Sequence, residues 1–561
     1  MKYDFIIVGA GPAGASLAYR LATTSSAPRV LILEAGGKND DANATLIADR
    51  FMTSKLFPEY DWQYQTEPQE HLGNRKLACP RGKGLGGSSA INYCFYTRGP
   101  KDDFDEWARR VGDDFYNWEN AERRFKKLEG FAPIQTEMHK KYADWRPENH
   151  GTDGPVKITD PLRWENIQER TLLSGYEMGW KKNMDGNSGD PIGIAVGATT
   201  GSHSRRTTAK TAYLEKPPKN LEIVTNAFAT KILFEGKRAV GIRAGGNDYY
   251  AEKDVILSAG ALDSPKLLML SGVGPAAELN RHGIPILADL PVGIGLQDHL
   301  FMPMIVEQKP GFDERPAWLA PAAMEAARRQ FELDGTGPLS ILCNSAVVGF
   351  DKGSTSVYES KEFKELPEDV QAYLMKPTIP TYEFAGCVPT FPLPGFDPSK
   401  TYNSAMTFGM VPQSRGTVSL KSADPADPPV LDPKFLSHPF DRVALLDGMR
   451  KVYHWLYNPT HSPDIIGPFH VPPSDSDEDL EEYVKNYGST TFHPSCTAMM
   501  GKLDDPTAVV TTDFRVKGLE GLRVADLSVT PFLPNCHTVS TGYYIGESAA
   551  ERITKEYGLD L

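Results

Sequence analysis

The stretch YDFIIVGAGPAGASLAYRLA, residues 3–22, constrains the fold more than any other part of the chain. It reads as a short apolar strand, a tight glycine turn and a helix. Gly9, Gly11 and Gly14 form GxGxxG, with Pro12 and Ala13 inside it. In this pattern the first glycine permits the turn and the second lets a pyrophosphate approach the backbone. The third lets helix pack on strand. The helix start offers free N–H groups and a partial positive charge to phosphates. A second apolar run, RVLILEAGG, ends in Glu34 and Ala35; Glu34 stands 20 residues after Gly14. That is where an acid binds ribose hydroxyls. Strand, turn, helix and acid together predict a Rossmann-like α/β domain that binds a dinucleotide. The fingerprint does not separate nicotinamide from flavin dinucleotides.

Two further glycine clusters bear on that choice. RGKGLGGSSAINYCFYTRG runs from Arg81 to Gly99 and contains Gly84, Gly86, Gly87 and Ser88. Its N–H groups and hydroxyls suit a pyrophosphate or a ring. GALDSPKLLMLSGVGP, residues 260–275, follows an apolar strand, DVILSAG. Each alone reads as a turn plus a helix cap. At 561 residues the chain exceeds one ordinary core, so two domains are expected, interleaved in sequence. A net charge of −13 without a long basic run argues against nucleic acid and anionic membrane as partners. No stretch of about 18 apolar residues predicts a transmembrane helix. MKYDFIIVGAG enters a strand at once, so no signal peptide is read and a cytoplasmic location is expected, a secreted mature form remaining open. The six cysteines have no zinc spacing, and no metal is expected. Asn43-Ala44-Thr45 is a lone glycosylation sequon.

Taken together, these blocks resemble the glucose–methanol–choline (GMC) flavoprotein oxidoreductases over nearly the whole chain. The first family signature fits Gly82–Asp105 and the second Gly260–Gly274. PVGIGLQDHL looks like the family's VGxNLQDH, with Gly295 where Asn is usual. SRRTTAKTAYL and NLEIVTNAFATKILFEG look like the segment that holds the adenine, here near Ala229. QSRGTVSLKSADPADPPVLDPKFL looks like the start of the substrate-domain sheet. The resemblance implies FAD held by residues 1–155, 201–300 and 491–561. It places a substrate or lid segment at 156–200, and a substrate domain at 301–490, α+β on an antiparallel sheet. Asn92, Tyr93, Asp526 and Thr538 join the glycine clusters as implied cofactor contacts, with Thr538 as the cap of the last helix. Where choline oxidase-like members carry a histidine covalently bound to flavin, this chain has Ile91, which implies non-covalent FAD.

The resemblance also gives a role to two histidines near the C-terminus. His493 lies in TTFHPSCTAMMG and His537 in PNCHTVSTG. His493 matches the family's catalytic histidine and His537 its partner, so both are expected at the reactive edge of the flavin. Oxidising an alcohol removes the O–H proton and the C–H hydride. Hydride transfer to flavin N5 is cofactor chemistry, and an imidazole has the proton affinity to take the proton. His493 is read as the base and His537 as a hydrogen-bond partner or alternate base, also contacting the cofactor. Tyr93 and Phe492 match positions that border the substrate in aryl-alcohol oxidase-like members. The expected reaction is oxidation of a small-molecule primary alcohol, aromatic or allylic, with oxygen or another acceptor taking the electrons. The alternative is a non-redox lyase or cyclase of the same family, with FAD as scaffold.

Overall fold

The computed structural model describes residues 2–41, 54, 57–134, 136–160, 164, 166–202, 205–310, 321–337, 347–387, 393–397 and 399–560. The sequon at Asn43 and one cysteine, Cys343, lie outside the described residues. The other five cysteines are buried.

The first of two large sheets starts with β1 (Lys2–Val8), continues through α1 (Pro12–Ala22) and returns in β2 (Val30–Leu33). Phe5, Ile6 and Ile7 are wholly buried, as is most of β2, because helices and loops cover both faces. Later segments complete the sheet. These are β3 (Leu221–Val224), β4 (Ala229–Glu235), β5 (Arg238–Ala244), β6 (Asn247–Leu257) and β7 (Leu522–Val524). The spatial order is β3-β2-β1-β6-β5-β4, with β7 also paired to β6. Neighbours among β3, β2, β1, β6 and β7 are parallel, whereas β4 and β5 add an antiparallel flap. The turn after β1 works as its glycines predict. Gly9 has φ +102°, and a Cβ on Gly14 would lie 2.1 Å from the Gly9 carbonyl oxygen.

Two more helices belong to this sheet, α2 (Gly260–Leu270) and the last helix, α3 (Val539–Tyr557). A Cβ on Gly542 would lie 3.2 Å from Pro12, and one on Gly546 2.0 Å from Ser16 Oγ. The two glycines therefore let α3 lie close along α1. Because Gly542 meets Pro12 and Gly546 meets Ser16, the helices run parallel and both begin at the same end of the sheet.

The second large sheet is antiparallel throughout, in the order Val347–Asp351, Tyr382–Gly386, Thr401–Gly409, Leu300–Gln308, Ile465–His470. Strand alternation divides its faces. Tyr382 and Phe384 point into a core with Trp180 and Trp455, while Glu383 and Ala385 point the other way. The segment 413–436 departs from expectation. Instead of opening this sheet, its strand Gly416–Ser419 lies between Ile294–Leu296 and Val430–Asp432, antiparallel to both, in a separate three-stranded sheet. Val418 and Leu431 pack there with Leu262 of α2 and with Tyr64, so their apolar faces serve the first sheet's side of the molecule.

Candidate active site

One cavity runs from the β1–α1 turn to the face of the second sheet that carries Glu383, Ala385 and Phe408. At the first end it is lined by Gly9, Gly11, Pro12, Ala13, Glu34 and Ala35. Gly87 is so close to Gly11 that a Cβ on Gly87 would lie 2.7 Å from the Gly11 Cα, so the two glycine clusters meet edge to edge. Helices α1 and α3 both open on this cavity without a side-chain cap and without an acid in the first turn. Thr538 occupies the N-cap position of α3 but makes no capping hydrogen bond, contrary to expectation. Two uncapped helix starts side by side, with glycine walls, fit the phosphates and the electron-rich ring edge of a flavin dinucleotide.

Glu34 is buried. Its carboxylate accepts from the N–H groups of Ala10, Gly36 and Gly84, each at 2.9 Å. It thus welds the turn, the end of β2 and the second glycine cluster together, and any ribose hydroxyl shares an already engaged carboxylate. Burial holds this carboxyl above its usual range against those three donors. Asp526 is similar: it accepts from Gly260 N and Ser264 Oγ at the start of α2, and from Ser528. Gly14, Gly84 and Gly86 lie behind the lining, as close-packed backbone rather than as walls. Ser88 accepts from Gly82 N, and from Arg81, which also donates to the carbonyl of Phe492 at 2.6 Å. Asn92 accepts from Arg206 at 2.8 Å. The glycine signature is thereby tied to the histidine loop. Ala229, at the start of β4, lines the cavity beside Phe228 and Trp62.

The opposite end is built by the second sheet. Cross-strand register sets Phe301 beside Phe408, and Phe408 beside Glu383. Tyr93 and Phe492 meet edge to face at 6.3 Å and border the same space. Phe492 has φ +65°, a strained conformation for a bulky residue. Its N–H bond to Thr490 Oγ1 and the Arg81 bond to its carbonyl hold it there.

Both histidines reach this end, from different loops. Their rings stand 5.1 Å apart, nearly perpendicular. His537 stacks on Phe95 at 5.0 Å, and its Nε2 lies 2.8 Å from Glu383 Oε1. His493 is placed by a zipper of backbone bonds. Thr491 N donates to His299 O at 2.9 Å and Ser495 N to Gln297 O at 3.0 Å, while His493 N donates to Asp298 Oδ1 at 2.8 Å. Its Nδ1 lies 3.0 Å from His299 Nδ1. Burial pushes the proton affinity of His493 well below the ordinary histidine range, and the neighbouring His537, His299 and Arg81 push it further. Burial holds His299 down to about 3 and Asp298 up to about 7.

Two residues here escaped sequence reasoning as site members. His299 ends the LQDH block, which was recognised but given no role. Glu383 gave no sequence signal: an acid between Tyr382 and Phe384 reads as an ordinary outward position on a strand. Among the described residues no cluster of histidine, cysteine and carboxylate side chains suits a metal ion. No described helix is long and apolar enough to cross a membrane.

Comparison with known proteins agrees with this geometry. Residues 3–301 match the N-terminal and residues 412–546 the C-terminal model of the GMC oxidoreductase family. The chain is 34% identical to an alcohol dehydrogenase [acceptor] of Pseudomonas putida over 99% of its own length and 96% of the relative's. Among solved structures, an FAD-dependent oxidoreductase from Chaetomium thermophilum superposes with a TM-score of 0.89 at 27% identity over 100% of both chains. A fungal aryl-alcohol oxidase does so with 0.84, also at 27% identity, over 99% of each. The chain thus has full-length counterparts and belongs to the GMC oxidoreductase family.

Proposed function

We propose that this enzyme binds FAD without a covalent bond and oxidises a small primary alcohol, next to an aromatic or allylic system, to the carbonyl. The observation that carries the reading is the histidine pair, 5.1 Å apart, at the aromatic end of a cavity whose other end suits a dinucleotide. Bound FAD supplies the acceptor for the hydride of the alcohol carbon. The chain supplies the rest. Helix α3 aims a positive end at the cavity, which favours negative charge on the reduced ring. His493, neutral and buried, takes the hydroxyl proton. His537, against Glu383, donates to or orients the same oxygen. Phe301, Phe408, Phe492 and Tyr93 exclude water and offer flat apolar contact. Ile91, at the position of the linking histidine in choline oxidase-like members, supports non-covalent attachment. A flavoprotein with this base and this aromatic wall suits activated C–H bonds. Its relatives' names, an alcohol dehydrogenase and an aryl-alcohol oxidase, point the same way. Oxygen or another acceptor then removes the electrons.

The test is anaerobic mixing of the purified yellow enzyme with a panel of benzylic, allylic and short aliphatic alcohols. Loss of flavin colour with a benzylic or allylic alcohol is the expected result. Carbonyl or lyase products without loss of colour would replace this reading with acid–base chemistry on a flavin scaffold.

A further inference from the structure

We infer that His299 is a positioning residue for the base: its ring links the Met410 carbonyl to His493 Nδ1, keeps the His493 proton on Nδ1, and leaves the Nε2 lone pair to receive the alcohol proton. The inference rests on the reading of His493 as base and adds which atom acts and what selects it.

Donor and acceptor accounting gives the direction. His299 Nε2 lies 3.2 Å from the carbonyl oxygen of Met410, an atom that only accepts, so Nε2 carries a hydrogen. His299 is fully buried. The adjacent carboxylate, Asp298, is spent on Thr490 and on the His493 N–H, so no anion faces the His299 ring to stabilise a second proton. His299 is therefore neutral, which agrees with the downward shift of its proton affinity by burial. A neutral ring with Nε2 protonated has a bare Nδ1. The contact between the two Nδ1 atoms at 3.0 Å then requires His493 to donate. His493 is neutral in turn, so its Nε2 is bare. Among the described residues none hydrogen-bonds that atom, and His493 lines the cavity.

The chain of contacts is anchored in backbone at both ends. Met410 follows the last residue of the strand Thr401–Gly409, and Leu300 of the neighbouring strand pairs with Gly409. His299 and His493 are held in register by the bond from Thr491 N to His299 O, and by Thr491 Oγ1, which donates to the same carbonyl at 2.9 Å. The tautomer is thus a property of the fold. When the alcohol reacts, its O–H bond breaks and a bond forms from Nε2 to that proton. The C–H electron pair leaves with hydrogen for the flavin, and the carbonyl forms. The imidazolium so made keeps its Nδ1–H bond to His299, now charge-assisted and stronger. An orienting partner of this kind governs rate through the tautomer: its loss in the serine-protease triad costs about 10⁴-fold.

The deciding experiment reads the tautomer directly. The holoenzyme is labelled with ¹⁵N in its histidine rings, and the His493 signals are identified by their loss in His493→Gln. The expected result for the wild type is a proton on Nδ1 and a bare Nε2; a proton on Nε2 overturns the inference, and this arm needs neither substrate nor a folded His299 variant. A second arm measures flavin reduction by benzyl alcohol. His299→Leu should reduce flavin about 10²–10⁴-fold more slowly at unchanged FAD content, with substrate affinity changed little. His299→Asn, whose amide oxygen can accept from His493 Nδ1, should restore most of the rate. A His299→Leu holoenzyme as fast as wild type also overturns it. His493→Ala separates the two levels of the argument: if it too is as fast as wild type, the base assignment itself falls.

Discussion

His493 and His537 stand side by side yet have different surroundings, and that difference sets their chemistry. His537 faces a carboxylate, Glu383; His493 faces another imidazole, His299, and has His537 and Arg81 nearby, with Asp298 bound to its backbone N–H rather than its ring. Burial first, and those neighbours second, keep the folded proton affinity of His493 well below 6.5. A base works when unprotonated, so activity is lost only where the pH falls through that depressed value. The rate of flavin reduction by alcohol should therefore stay level as pH falls through 6.5 and decline only below it. Stopped-flow reduction across pH checks this, and a decline centred at or above 6.5 would contradict a neutral, buried base. Phe492 offers a second check at this scale. Aromatic contact contributes roughly 0.5–1.5 kcal/mol beyond area. Phe492→Ala should raise KM for a benzylic alcohol more than for a short aliphatic one. Steady-state kinetics on both substrates decide it, and equal effects would remove Phe492 from substrate recognition.

Among elements, the crossing of α1 and α3 does most to bring distant sequence to one place. GxGxxG announced α1, and the resemblance to GMC enzymes announced α3, but their close parallel packing rests on small residues opposite one another. A Cβ at position 546 would lie 2.5 Å from the carbonyl oxygen of Ala13, a backbone atom that cannot swing aside. Gly546→Ala should destabilise the protein by about 1–3 kcal/mol, the usual cost of overpacking, and release FAD at a lower temperature. Thermal unfolding followed by flavin fluorescence measures both, and an unchanged midpoint would show that the helices are not held so closely. The second sheet shows where reading by element stops. Alternation in PTYEFAG marks a strand with Tyr382 and Phe384 on one face. It does not say that the other face borders a cavity, because that follows from register with Phe408 and from a histidine 154 residues away. For the same reason the 413–436 segment was recognisable as strands but not assignable to a sheet: Leu262 and Leu296, its packing partners, lie more than a hundred residues earlier.

At the scale of the whole molecule, one cavity joins the two sheets, and each contributes what the other lacks. The first provides glycine walls and helix starts, the second aromatic walls and Glu383. The residues that line the glycine end of the cavity were legible because they sit in short contiguous motifs whose glycines answer a local backbone need. Glu383 and the role of His299 were not, since their partners are set by long-range pairing. Non-covalent FAD is a claim at this scale: acid precipitation should leave the yellow colour in the supernatant, and colour retained in the pellet would mean a covalent bond. The central claim is that His493 removes the alcohol proton while the cofactor takes the hydride. Its most direct measurement is anaerobic flavin reduction in wild type, His537→Asn and His493→Ala, each loaded with FAD. The account predicts full FAD content in all three and a loss of about 10²–10⁴-fold in His493→Ala, the usual contribution of a general base, with a smaller loss in His537→Asn. A His493→Ala enzyme that bleaches at the wild-type rate would contradict it.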